Sequence, residues 1–515
     1  MKRKLSFALG TLALGIFVLQ AATNTAANGA AKISPSTWAF INSAQTNRVL
    51  RIGLVDCIAW TMQNNSEIMI KKIEPKLKED DRRIAESKFE PVFSANAILD
   101  VNKSPVPMPL NVYSSSVSKV AEVNAGISGK LKTGTRYELD LMGSRTDANP
   151  AIRAVNPVYF AEPELTITQP LFRGAGFEVN EAEIHIAANI RRISAKSLRS
   201  TAMETISRTL SAYYNYCYAL EYKAITDAAL KRARDLYTIN QERYAKGIIS
   251  SVELLETDTS VAKRVKDVIS AEAIVAKTED DLKMITNLID DPNLWMARIE
   301  VIDRPAVELR KIDLTECLTN AFSFRPDYQM KLIELQNNDI AVKVARNSLL
   351  PTVDLAGSYG MNGWGADYGD ALNTVTPENN DWTVWLRFSK PWGGGERAAY
   401  DQKKLEKMRG LMELKRLEQK IILDIRDRIR AVETQRKQME AAKHSKDLEL
   451  KNFEAQKERY AAGQVSTHNM LDYQERVATS ETEYLKTLVD YQTALITLDN
   501  AEGVTLAKNN IVLEE

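Results

Sequence analysis

The sequence predicts a mainly α-helical, internally duplicated protein whose long antiparallel helical hairpins are joined to a minority of amphipathic β-strands. Three observations predict it. A stretch near the middle of the chain returns without a gap near its end, and the long segments around each copy repeat their apolar residues every three or four positions among charges. Shorter windows in each half alternate apolar and polar residues with a period of two, the signature of strands with one wetter face.

The repeated stretch fixes the organisation. Glu242-Arg243-Tyr244-Ala245-Lys246-Gly247 returns as Glu458-Arg459-Tyr460-Ala461-Ala462-Gly463, an offset of 216 from Tyr244 to Tyr460, and Ser250 and Ser466 follow three residues after each glycine. Glycine just past a helix end takes positive φ at little cost, and serine caps the next helix, so each copy predicts the tip of a helical hairpin. A second correspondence, at an offset of 260, sets Arg51 to Ile58 against Lys311 to Leu318 and Pro91 against Pro351. The offset falls from 260 to 216 between these landmarks, so the first half carries about 44 extra residues between Pro91 and Tyr244.

Composition excludes several function classes. Lys plus Arg and Asp plus Glu are both 68 in 515 residues, so no basic excess points to nucleic acid and no acidic block reads as a tail. His185, His444 and His468 are scattered without ligand spacing. No nucleophile, metal cluster or phosphate loop supports an enzyme, and no cofactor is implied. Three cysteines make no disulfide scaffold, and Cys57 and Cys317, at matched places in the two halves, are expected as buried small apolar residues. Glu79-Asp80-Asp81 reads as helix surface.

In chain order, Lys2-Arg3-Lys4, the apolar run Leu5 to Leu19 and small Ala21 and Ala22 predict a signal peptide over 1–22 and hence export. An extension over 23–50 follows. Residues 51–88 read as two helices broken near Asn64-Asn65, ended by Pro91. Phe93, Ala95, Ala97, Leu99 and Val101 alternate as a strand, and a Pro-rich loop is expected from Ser104 to Pro109. The alternating segments around 121–146 form a hairpin, the expected extra material, and Leu165 and Ile167 belong to a returning strand that ends at Gln169-Pro170. A helix of about 100 Å is then expected from Phe177 to Tyr244. Its seam includes Ile206, Leu210, Tyr213 and Cys217, matched in the second half by Ile421, Ile425, Ile429 and Val432. Between them come strands over about 351–391, separated by a Gly- and Asn-rich loop from Gly360 to Asp381. Trp382, Trp385 and Trp392 near strand ends fit an interfacial aromatic girdle or ordinary packing. The repeats are thus placed at 51–290 and 311–507, with a connector at 291–310 and a tail at 508–515.

The paired Tyr-x-x-Gly-x-x-Ser tips, the Gly-rich strand-to-helix junctions after Pro170 and Pro391, and the duplication from about Arg51 to Leu506 resemble the TolC-type outer membrane efflux proteins. The resemblance implies a homotrimer in the outer membrane of a Gram-negative bacterium, its strands forming one shared membrane β-barrel and its helical hairpins a periplasmic tunnel. It further implies a periplasmic adaptor protein and an inner membrane pump as partners. At the tips it implies that Tyr244, Gly247, Ser250, Gly463 and Ser466 face the adaptor. Glu253, Tyr460, Asn469 and Asp472 would then form the periplasmic aperture, the first two linking neighbouring helix pairs and the last two ringing the constriction. Val465 stands where some members have a linking arginine, and Asn469 replaces one carboxylate. The expected function is a passive duct of a tripartite efflux or type I secretion system. A soluble periplasmic coiled-coil adaptor or scaffold is the alternative, though it leaves the alternating strands without a purpose.

Overall fold

The structure is a computed structural model and describes residues 49–107, 113–149, 155–291, 294–303 and 309–513. The expected signal peptide, and the extension as far as residue 48, lie outside the described residues. β1 (Val49–Ile52) leads into α1 (Leu54–Asn64) and α2 (Ser66–Glu86). The break between them is made by Asn65, whose side chain caps α2 by accepting from the backbone of Glu67 (3.0 Å) and Ile68 (3.3 Å). Four strands follow: β2 (Val92–Pro107), β3 (Tyr113–Lys130), β4 (Arg136–Asn149) and β5 (Val158–Pro170). After the single turn α3 (Phe177–Asn180) comes α4 (Ala182–Ala245), then α5 (Ser251–Thr286).

The second half repeats the plan. β6 (Arg298–Val301) precedes α6 (Leu314–Phe324) and α7 (Pro326–Ser348), then β7 (Thr352–Met361), the short β8 (Gly363–Gly365), α8 (Tyr368–Asn373) and β9 (Asn380–Ser389). The hairpin of α9 (Gly395–Ala461) and α10 (Thr467–Glu502) and the turn α11 (Thr505–Lys508) complete the chain. The break between α6 and α7 is made by Pro326 in the first turn, where a missing N–H is harmless, and by Arg325. Arg325 binds Asp327 (2.9 Å) and reaches Asp424 of α9 (2.9 Å).

α4 is the central helix. It packs on α5 along the first hairpin, on α2 beyond it, and on α7 and α10 of the other half. The seam expected from the sequence is its buried stripe: Ile206 and Tyr213 are about fully enclosed, and Leu210 and Cys217 are buried beside them. Ile421, Ile425 and Val432 do the same for α9. Each such side chain contributes about 1.5–3 kcal/mol by leaving water. A parallel pair of β1 with β6 closes one core cluster over Cys57, Tyr213 and Tyr216, and Tyr216 donates to the Ile299 carbonyl (2.7 Å). This clasp was not foreseen, because two four-residue strands leave too short a pattern to detect. All three cysteines are buried and none is in a disulfide, and burial, helped by Asp56, pushes the Cys57 thiol up to about 12.

The strands form one antiparallel sheet in the order β2, β3, β4, β5, β7, β9, with β8 also paired to β5. Three sequence expectations are corrected here. The Pro-rich segment from Ser104 is no loop as far as Pro107: it continues β2, which tolerates proline because it is an edge strand with one free hydrogen-bonding side. The segment from Gly360 to Asp381 is also partly ordered. α8 is capped by Asp367 (Asp370 N–H to Oδ1, 2.8 Å), and Thr374 ties the segment to both backbone groups of Trp364. The expected continuous helix from Phe177 is interrupted after one turn, and α4 proper starts at Ala182.

Candidate functional site: the paired hairpin tips

The two tips are built alike from their own residues. α4 ends at Ala245, and Gly247 takes φ +70°, so its N–H returns to the Tyr244 carbonyl (2.8 Å) and the Ile248 N–H to that of Arg243 (2.9 Å). α9 ends at Ala461, with Gly463 at φ +72° and the corresponding bonds to Tyr460 (3.0 Å) and Arg459 (2.9 Å). Both ends are Schellman motifs that satisfy orphan carbonyls. Ser250 then caps α5 by accepting from Glu253 N–H (3.2 Å), and Ser466 caps α10 by accepting from Asn469 N–H (3.3 Å).

The halves differ in what their tyrosines do. Tyr460 is buried and Tyr244 is exposed. The Tyr460 hydroxyl bonds the side chain of Asn240 on α4 and lies 3.2 Å from the Thr467 hydroxyl on α10. Thr467 donates to the Glu253 carboxylate on α5 (3.0 Å) and receives from the Asn240 amide (3.3 Å). Arg243 donates to the Tyr460 carbonyl (3.0 Å), and its guanidinium lies 4.5 Å from the centre of the tyrosine ring. One network therefore ties all four helix ends of the two hairpins together.

Of the residues singled out from the sequence, the structure brings Glu253 and Tyr460 together, with Thr467 as the bridge between them. Asn469 and Asp472 are exposed on α10 outside this network, and Asp472 pairs with Arg476 one turn on (2.9 Å). Val465 turns inward onto the cluster of Leu236, Phe453, Tyr460, Met470 and Val477. Asn240, Thr467 and Arg243 were missed. Arg243 lay inside the repeated motif, whereas Asn240 and Thr467 carry no pattern that distinguishes them from surface polar residues. Away from the tip, Arg264 of α5 binds Glu475 of α10 (2.7 Å) and Arg232 of α4 meets Glu481 (3.3 Å), extending the polar seam between hairpins.

The opposite end is the sheet, and there the two halves meet at their strand-to-helix turns. Arg173 after β5 reaches Glu396 at the start of α9 (3.4 Å), so the matched junctions of the two halves touch. Among the described residues no group of His, Cys, Asp and Glu could hold a metal, and no described helix is long and apolar enough to cross a membrane.

A model of the outer membrane efflux protein family matches residues 162–288 and 318–504, the greater part of both repeats. The chain belongs to the outer membrane efflux protein family. Members of this family are channels and transport ducts. Toxin and drug export protein A of Aggregatibacter actinomycetemcomitans is 23% identical over 187 residues, which span 36% of this chain and 39% of that relative. Among solved structures, the CmeC outer membrane channel of Campylobacter jejuni superposes with a TM-score of 0.62 at 18% identity, covering 87% of this chain and 85% of the other. The MtrE outer membrane channel of Neisseria gonorrhoeae, in its open state, gives 0.60 at 17% identity, covering 87% and 88%. These likenesses bear out the predicted fold: duplicated long helical hairpins joined to a sheet, left open in the single chain.

Proposed function

We propose that the protein is a homotrimeric outer membrane channel serving a tripartite efflux or type I secretion system, a passive duct from an inner membrane pump to the outside. One observation carries the reading. The same chain has an amphipathic sheet with unpaired edges at one end and two matched hairpin tips, linked by a polar network, at the other. Long helices of about 100 Å separate the ends, a length suited to bridging a periplasm. The sheet supplies the membrane part, its apolar row facing lipid. The tips supply the gate and the docking surface.

At the tips, the Asn240, Tyr460, Thr467 and Glu253 network holds the two hairpins of a protomer together in a closed aperture. A periplasmic adaptor docks on the turns around Tyr244, Gly247, Ser250, Gly463 and Ser466. Ile248, Val252 and Leu255 add an exposed apolar surface beside the first turn. Asn469 and Asp472 line the constriction. A soluble coiled-coil scaffold accounts for the hairpins but leaves unpartnered the apolar row of Trp382, Val384, Leu386 and Phe388 along β9.

The test is planar-bilayer conductance of protein extracted from outer membranes, with trimer mobility compared before and after heating. A heat-dissociable trimer with discrete conductance is expected. A soluble, non-conducting chain overturns the duct and leaves the scaffold.

A further inference from the structure

The duplication calls for one strand hairpin per half, and the second half has it in β7 and β9. Their counterparts in the first half are β2, which follows Pro91 as β7 follows Pro351, and β5, which leads into α4 as β9 leads into α9. β3 and β4 are the insertion. They do not project as a flap: β3 pairs with β2 along its length, β4 pairs with β5, and β3 pairs with β4 from Val117–Asn149 to Lys130–Arg136. From these facts we infer that the inserted hairpin is part of the membrane wall, so that three protomers contribute six strands each to an eighteen-stranded barrel. The inference rests on the trimeric conduit proposed above.

Three further observations support the wall. The first is the face pattern. Ala97 pairs with Val123 and Val123 with Gly143, while Ala125 pairs with Leu141 and Leu141 with Pro163, so the apolar row of β2 passes across the insertion to β5. The opposite face carries Asn124, Asp140, Glu164 and Asp381 at lumen-facing positions. A flap in water would have no need of a continuous apolar face.

The second is parity. Every neighbour is antiparallel, so with six strands the free edges β2 and β9 run in opposite directions. The β9 edge of one copy can therefore continue the ladder on the β2 edge of the next, removing both exposed edges.

The third is stagger. The row of partners through Val92 runs Ser128, Glu138, Thr166, Ser358 and Thr383, whereas β9 ends at Ser389, six residues further down. Levelling the strand ends by symmetry then requires a shift of about one residue per strand, a tilt of about 35° at 3.3 Å per residue and 4.8 Å between strands, within the range of barrels. The same levelling sets Ser389 opposite Val92 of the next copy, which places Val384 against Ala97 and Phe388 against Phe93, apolar on apolar. Eighteen strands at this spacing and tilt enclose a backbone diameter of about 34 Å, against about 22 Å for the twelve that the uninserted plan would give. The outer mouth is thus built for wider cargo than one hairpin per repeat would admit.

The experiment uses full-length protein in outer membranes with the three native cysteines changed to alanine. Single variants Val123→Cys, Asn124→Cys, Leu141→Cys and Ser144→Cys are labelled with a charged, membrane-impermeant maleimide, with Thr383→Cys and Val384→Cys on β9 as reference. Positions 124, 144 and 383 are expected to label roughly tenfold faster than 123, 141 and 384. The double variant Ala97→Cys with Val384→Cys is expected to give covalently linked trimers on oxidation. Equal labelling at 123 and 124 while β9 still alternates, or trimers that never cross-link at 97 and 384, overturns the eighteen-stranded wall and leaves the conduit standing. Loss of both the trimer and the β9 alternation overturns the conduit itself, and the wall with it.

Discussion

At the residue scale the tips turn on a few groups whose roles can be separated. Gly247 and Gly463 have open space where a Cβ would stand, so an alanine there meets no neighbour and suffers only the backbone penalty of positive φ. Gly463→Ala should therefore cost about 1–2 kcal/mol, read as a lower melting temperature. Tyr460→Phe removes one hydroxyl and leaves the fully buried Asn240 side-chain oxygen without its partner, which costs the tip network about 1–3 kcal/mol. If the tip network is the gate proposed above, its expected signature is a higher single-channel conductance with little loss of trimer, and unchanged conductance would remove Tyr460 from that role. The cysteines give a simpler check. Burial raises Cys57 to about 12, and burial with a hydrogen bond to Glu502 raises Cys317 to about 12. At pH 8 only about one thiol in ten thousand is ionised at each, so both should resist a thiol reagent in the native protein and react once it is unfolded. Asp327 shows the opposite balance: burial alone would raise its pKa, but the Arg325 guanidinium overrides this and holds the carboxyl below its ordinary range. Its contribution to stability is present above the unfolded carboxylate range and fades as pH falls through the folded value.

At the scale of elements, what was legible followed the strength of each local pattern. The long seams of α4 and α9 could be read because apolar residues recur over many turns, and the tips because Gly and Ser must each occupy one backbone position. β1 and β6 could not, since four residues give no period and their pairing joins positions about 250 apart in the chain. Proline content alone reads Ser104 to Pro109 as a loop, and only the sheet order shows that the strand running to Pro107 has a free side on which a missing N–H does no harm. At the tips, the resemblance pointed to Tyr460 and Glu253 but not to the bridge between them, because Thr467 has no special identity until four helix ends converge on it. A close approach hidden in the same way is Gly410 of α9, where an added Cβ would stand 2.9 Å from the Asn338 amide and 3.0 Å from a Leu335 methyl of α7. Gly410→Leu should push α9 off α7 and destabilise by about 1–3 kcal/mol, while Gly393→Ala, in open space, should change the melting temperature little.

At the scale of the whole molecule, the two halves are related in sequence but occupy unequal positions, and that inequality bears on the duct's ion preference. The second hairpin buries its tyrosine against the first, while the first leaves Tyr244, Ile248 and Leu255 exposed on the surface proposed for docking. The carboxylate proposed for the constriction, Asp472, is likewise not a bare charge, because Arg476 holds it from one turn away on the same exposed face. An exposed pair of this kind contributes little stability, about 0.3–0.5 kcal/mol, but it cancels most of the field that a threefold ring of carboxylates would set up. The proposed channel should therefore show only weak cation preference. Arg476→Gln exposes the ring and should strengthen that preference, whereas Asp472→Asn leaves the arginines unopposed and should shift selectivity toward anions. Reversal potentials across a tenfold KCl gradient read both shifts, and they should shrink together as total salt rises and screens the charges. Two variants that leave the reversal potential where the parent has it would place the constriction elsewhere than Asp472, with the polar network around Tyr460 as the next position to test.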